Sequence, residues 1–310
     1  GSDVMEWYRL RKAPLVLGHE ITGEIIEVGD GVQKYKVGDR VFVSHHVPCN
    51  TCHYCLSGHH TVCETLLKGT HFDPGGFAEY IRVPAINVDR GVFPVPEGVS
   101  FEDASFMEPL ACVLRGQKNA RLRPGQTVLV LGSGISGLLH VGLAKALGAG
   151  LVMAADTIPY RLEKARAMGA HAALHADEDL PSRVRQANEG RLADLVIICF
   201  DGFIPLAFKT VEKGGTILFF AGAGERDAIP ATINEIFWRT EITLTSTYAG
   251  APADCREALR LIKAGAVPVQ KTITRKLPLE SASSGFQMVC SPTEHECVKV
   301  ILEPHGRESA

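Results

Sequence analysis

The chain has no excess of positive charge: 32 Lys and Arg face 35 Asp and Glu, a formal net charge of -3. That balance gives no support to nucleic-acid binding or to attachment to an acidic membrane surface. No apolar run approaches the ~18 residues needed to span a bilayer. Internal repeats and low-complexity tracts are absent, and the first residues show no secretory-signal pattern. An even cysteine count is lacking too. Of nine cysteines, Cys112, Cys199, Cys255, Cys290 and Cys297 are scattered as singles, which fits a reducing cytoplasm better than a disulfide framework.

What remains is an ordinary globular composition, 45% hydrophobic and 22% charged, on 310 residues, enough for two domains. The first ~110 residues read as β-rich. Short segments such as Ile21–Val28, Arg40–Val43 and Phe77–Val83 alternate with Gly-Asp turns at Gly29-Asp30 and Gly38-Asp39. From Thr127 the character changes. Thr127–Leu131 is a continuous apolar run, as expected of a strand buried on both faces of a parallel sheet. Strands at 151–155, 171–175, 195–199, 216–220 and 242–247 then alternate with helical segments, which implies βαβ units. The expected division is 1–109, 110–248 and a return segment 249–310 that ends in a strand near 298–302.

Four cysteines stand together. Cys49, Cys52, Cys55 and Cys63 form a C-x2-C-x2-C-x7-C array in which four thiolates can surround one Zn2+ tetrahedrally. A closed set of this kind carries structure, so the expected role of residues 45–68 is a structural zinc lobe.

The apolar strand 127–131 runs into Gly132-Ser133-Gly134-Ile135-Ser136-Gly137 and then a helix. Gly132 allows a tight turn, Gly134 lets backbone approach a pyrophosphate, and Gly137 allows close helix–strand packing. The helix N-terminus offers N–H groups and a positive dipole end to phosphates. Asp156 follows Gly137 by 19 residues and can accept from ribose hydroxyls, which favours NAD over NADP. Arg161 is near enough to pair with a 2′-phosphate instead. The plainer alternative is a set of glycines that close a turn and an Asp that caps a helix.

Two further groups have ligand chemistry. Gly18-His19-Glu20 precedes a strand, and Glu108 sits inside the apolar stretch Phe106–Ala111. A buried Glu is costly unless paired or bound to a metal. A catalytic zinc needs about three protein ligands and one open position, and His19, Glu20 and Glu108 are of suitable type. A salt-bridged or helix-capping Glu108 is the alternative.

In order, Gly18-His19-Glu20, Gly38-Asp39-Arg40-Val41, the cysteine array, Gly76–Tyr80, Glu108-Pro109-Leu110, the glycine motif and Asp156 resemble the zinc-dependent medium-chain alcohol and polyol dehydrogenases. The resemblance covers essentially the whole chain. It implies an α/β fold: a Rossmann doubly wound parallel sheet plus a β-rich GroES-like catalytic domain with a structural zinc lobe, and an active site in the cleft between the domains. By that resemblance His19, Glu20 and Glu108 are ligands or near neighbours of a catalytic zinc, Ser2 relays the alcohol proton, and Asp3 orients His19. Met5 departs from the family, where many members carry a relay histidine. His45 and His46 are candidates for substrate contact. The family motif Cys-Gly-(Ser/Thr)-Asp sets Gly1-Ser2-Asp3 just after a missing cysteine ligand, so an N-terminally truncated chain is expected, although Gly-Ser is also a common tag remnant.

The implied chemistry is reversible oxidation of a secondary alcohol or polyol with hydride transfer to NAD, by a homo-oligomer (dimer or tetramer) with a small-molecule substrate. Competing readings are a zinc-independent quinone or enoyl reductase of the same superfamily, a zinc-ribbon module and a non-catalytic NAD-binding relative.

Overall fold

A computed structural model describes residues 2–13, 15–68, 72–224 and 226–304. Gly1 and residues 305–310, which the sequence reading placed in the first and last segments, lie outside the described residues. The chain divides into two compact units: 1–112 with 249–265 and 273–310, and 113–248 with 266–272.

The first unit opens with a three-stranded antiparallel sheet, β1 (Ile21–Glu24), β2 (Arg40–Val43) and β3 (Val92–Pro94), with β2 central. Val41, Val43 and Val92 bury one face against Phe72, and Ile21 and Ile25 pack beside them. Phe42 pairs with Phe93 on the other face. The strand expected at 77–83 is not formed. Only the bridge Asp73–Arg82 appears, reinforced by the Arg82–Asp73 ion pair at 2.7 Å. The backbone of this segment is instead committed to the loop before β1: Gly76 N–H donates to Gly18 O and Phe77 N–H to Leu17 O.

The second unit is built on six parallel strands: β4 (Thr127–Leu131), β5 (Leu151–Asp156), β6 (Ala172–His175), β7 (Ala193–Ile198), β8 (Val211–Phe219) and β9 (Thr243–Ser246). Their order is β6-β5-β4-β7-β8-β9, the doubly wound arrangement expected from alternating strands and helices. All five residues of β4 are buried, which explains their unbroken apolar character. Leu129, Leu131 and Met153 are fully buried in the core of this unit. Each such side chain contributes about 1.5–3 kcal/mol of burial.

Residues 266–272 belong with this unit rather than with the return segment. Val267 lies over Gly142 of the helix Ile135–Ala146, where a Cβ would meet it at 3.1 Å. Lys271 Nζ donates to Ala167 O at 2.8 Å. The chain then re-enters the first unit as β10 (Ile273–Pro278), parallel to β11 (Lys299–Glu303). Among the described residues no helix is long and apolar enough to cross a membrane.

Candidate active site

The cysteine array closes on itself. Cys49, Cys52, Cys55 and Cys63 each offer a sulfur, all within 4.8 Å of one another. Sγ atoms stand 3.9 Å apart for Cys49 and Cys55 and 3.5 Å for Cys52 and Cys55. A tetrahedral zinc with bonds of about 2.3 Å sets its sulfurs about 3.8 Å apart. Backbone N–H groups already solvate the sulfurs: Thr51 and Cys52 donate to Cys49 Sγ, and Cys49 donates to Cys63 Sγ. The N–H and hydroxyl of Thr51 pull the Cys49 thiol down to about 5, toward the thiolate a metal needs. Arg90 holds the base of the loop through Cys49 O at 2.9 Å. The donor set fits one structural Zn2+.

A second cluster forms from distant segments of the same unit. Gly18 has φ +97, and a Cβ there would collide with Phe77 N at 2.6 Å. That close approach locks the turn carrying His19 and Glu20. Glu108 lies in the first turn of the helix Met107–Asn119, where the positive helix end favours a carboxylate. One ligand-type atom each from His19, Glu20 and Glu108 falls within 4.8 Å of the others.

Around them the charges interlock. Asp3 Oδ2 lies 3.3 Å from His19 Nδ1. Burial opposes ionisation of both, but their hydrogen bond and mutual charge prevail, lowering the Asp3 carboxyl and, with the Glu108 charge, raising His19. Glu108 is buried, which alone would raise it. His46, the charge of His19 and the Cys112 thiol outweigh burial and keep it ionised. Cys112 Sγ donates to Glu108 Oε1 at 3.3 Å. The carboxylates and one imidazole suit a divalent cation of the zinc type.

Two further partners join the cluster: Lys299, which has no counterpart in the sequence reading, and His46, expected there to contact substrate. Lys299, at the start of β11, forms an ion pair with Glu20. Burial brings its ammonium down to about 8, partly offset by Asp3, so it remains largely charged at neutral pH. His46 Nδ1 reaches to 3.5 Å from Glu108 Oε1. Ser2 sits in the same short turn as Asp3 and is half-buried.

In the second unit, the glycine motif forms a cradle. Gly132 takes φ +97, and a Cβ on Gly137 would run into Gly132 O. A Cβ on Gly134 would find its nearest neighbour, the Arg161 guanidinium, at 4.0 Å, so the side facing a ligand has room. Gly134 is the N-cap of the twelve-residue helix Ile135–Ala146 and makes no side-chain cap hydrogen bond; Ser136 lies within the first turn. Asp156 ends β5 and accepts from Ser133 N–H at 2.7 Å and Ile158 N–H at 2.9 Å. Arg161 NH1 lies 3.8 Å from Asp156 Oδ2. Among the described residues, the buried Ser133 Oγ and Arg161 Nε have no hydrogen-bond partner. Such orphaned donors fit a dinucleotide whose pyrophosphate and ribose would engage this loop.

Residues 1–97 match the family model described as the alcohol dehydrogenase GroES-like domain, and 136–264 match the one described as zinc-binding dehydrogenase. The chain is 30% identical over 301 residues to sorbitol dehydrogenase of Bacillus subtilis (strain 168), covering 94% of this chain and 82% of the relative. It is 33% identical over 320 residues to L-threonine 3-dehydrogenase of Bacillus licheniformis, covering 98% and 88%. Among solved structures, an alcohol dehydrogenase from Thermus sp. ATN1 superimposes with a TM-score of 0.82 at 28% identity, covering 98% of this chain and 89% of the other. A 2R,3R-butanediol dehydrogenase from Bacillus subtilis gives 0.79 at 26%, covering 94% and 82%. Together with the cysteine lobe, the His–Glu–Glu cluster and the dinucleotide cradle, these matches settle the family: the chain belongs to the zinc-dependent medium-chain dehydrogenases.

Proposed function

We propose that this chain oxidises a secondary alcohol of the polyol or hydroxy-compound class, reversibly, with NAD as hydride acceptor. The observation that carries the reading is the convergence of His19, Glu20 and Glu108 beside the ion pair Asp3–His19. These three residues would hold the catalytic zinc. When bound, zinc supplies Lewis acidity that brings an alcohol pKa toward neutrality, and NAD supplies the hydride acceptor. The protein's own part is positioning. Asp3 accepts from His19 Nδ1 and so leaves Nε2 as the nitrogen that would ligate. Lys299 balances Glu20. Asp156 selects NAD through the ribose hydroxyls, with Arg161 beside it, and the first turn after Gly134 receives the pyrophosphate. Ser2 accepts the alcohol proton. Met5 cannot ionise, so the proton taken up at Ser2 would leave to water by a route that bypasses Met5.

Similarity to sorbitol and butanediol dehydrogenases supports a diol or polyol substrate. Similarity to L-threonine 3-dehydrogenase supports a second reading, a β-hydroxy amino acid. Both place the reacting carbon in a secondary alcohol. The scattered single cysteines support a cytoplasmic enzyme, and we assign it a homo-oligomeric state.

NADH formation by the zinc-loaded chain, followed with sorbitol, xylitol, 2,3-butanediol, L-threonine and ethanol, tests the reading. Turnover of a secondary alcohol well ahead of ethanol is the expected result. Tight NAD binding without turnover of any of them overturns it in favour of a non-catalytic relative.

A further inference from the structure

Glu108 also belongs to another set of ligand-type side chains. One atom each from His45, His46 and Glu108 falls within 4.8 Å of the others. Neighbouring residues on a strand point to opposite faces. Here the His45 and His46 rings lie against each other, with centroids 3.6 Å apart and planes 39° apart. The bend that allows this is anchored. The chain leaves β2 after Val43, and His46 N–H donates to Ser44 Oγ at 3.1 Å. Ser44 O in turn accepts from the buried Asn87 Nδ2 at 2.8 Å.

The separation of His46 Nδ1 and Glu108 Oε1, 3.5 Å, is long for an N–H···O hydrogen bond. It is close to the spacing of about 3.4 Å between nitrogen and oxygen ligands on a tetrahedral zinc. His45 also adjoins the first cluster, its ring centroid 4.9 Å from that of His19. Two sets of donors therefore stand side by side and share one carboxylate.

We propose that His45, His46 and Glu108 form a second seat for the divalent cation, alternative to the seat made by His19, Glu20 and Glu108. Two imidazoles and a carboxylate are donors that suit Zn2+, Co2+ or Fe2+ and leave coordination positions open. One ion uses the two seats in turn, with Glu108 as the shared ligand. Simultaneous filling would set two dications against a single shared carboxylate. The inference rests on the proposed first seat.

Co2+ binding to the full chain tests it, with the structural site kept filled by zinc and bound metal counted after equilibrium dialysis. The wild type is expected to bind one Co2+ beyond the structural ion. His19→Asn is expected to keep that Co2+, with a changed ligand-field spectrum and an affinity lowered about 10- to 100-fold. Adding His46→Asn to His19→Asn is expected to abolish it. Loss of the ion in His19→Asn alone, or its retention in the double variant, overturns the second seat while leaving the first seat standing. Absence of a non-structural ion from the wild type overturns both. Should His19→Asn fail to fold, Glu20→Gln weakens the first seat at nearly constant side-chain volume. Its Co2+ affinity should then fall at least about tenfold on adding His46→Asn, and no change refutes the proposal.

Discussion

Asp3 Oδ2 and His19 Nδ1 lie 3.3 Å apart, and each stabilises the charged form of the other. A carboxylate behind an imidazole fixes the ring's tautomer and sharpens the opposite nitrogen as a ligand. In the proposed centre Asp3 therefore acts through His19 and is not itself a ligand.

Asp3→Asn should weaken the non-structural metal about 10- to 100-fold while leaving the structural metal in place. Competition with a coloured chelator reads the two ions separately. Equal affinity in variant and wild type would mean that Asp3 does not act through His19.

Cys52→Ser should lose the structural zinc and lower the melting temperature, a cost on the order of 4 kcal/mol, because metal binding and local folding are coupled. A strong chelator added to the wild type should produce the same shift. Unchanged zinc content and melting temperature in the variant would refute the lobe's role.

Asp156→Ala should weaken NADH binding about 10- to 100-fold, the worth of hydrogen bonds to a charged group. NADPH should suffer less, since the Arg161 guanidinium would no longer face a carboxylate 3.8 Å away. Fluorescence titration with both cofactors measures the ratio, and an unaltered ratio counts against the assignment.

His140, in the second unit, offers a pH prediction. It is buried, its Nδ1 bonded to Gln117 Nε2 at 3.1 Å and its ring set edge-on to Phe220. Burial lowers its pKa to about 3. The unfolded chain, with a value near 6.5, binds the proton first, so stability is full above that value and falls as pH drops toward 3. Between pH 7 and 5 the loss from this group is about 2 kcal/mol. His140→Leu should remove that increment, seen as a smaller drop in unfolding free energy than the wild type shows. Parallel pH curves would contradict it.

How much of this was legible in the sequence depended on how locally each feature is encoded. The cysteine lobe was legible because all four ligands fall between Cys49 and Cys63. The parallel sheet was legible because strands buried on both faces, such as Thr127–Leu131, are apolar throughout. The segment 77–83 misled: its apolar residues serve a loop clamped to Leu17 and Gly18, not a ladder. The approach of Glu108 to His19 could be read only through family resemblance, since nothing in either segment encodes the other. Lys299, 279 residues from its partner Glu20, gave no signal at all. The side-by-side rings of His45 and His46 follow from the chain leaving β2 after Val43 and bending at His45.

The most direct test of the central claim is the metal dependence of NAD reduction, measured with a polyol on the wild type and on Glu108→Gln. The chain stripped of its non-structural ion should lose NADH formation and regain it with added Zn2+, and the variant should bind NAD but stay inactive under both conditions. Turnover that survives removal of the ion, or a fully active Glu108→Gln, would contradict a zinc-dependent centre at His19, Glu20 and Glu108.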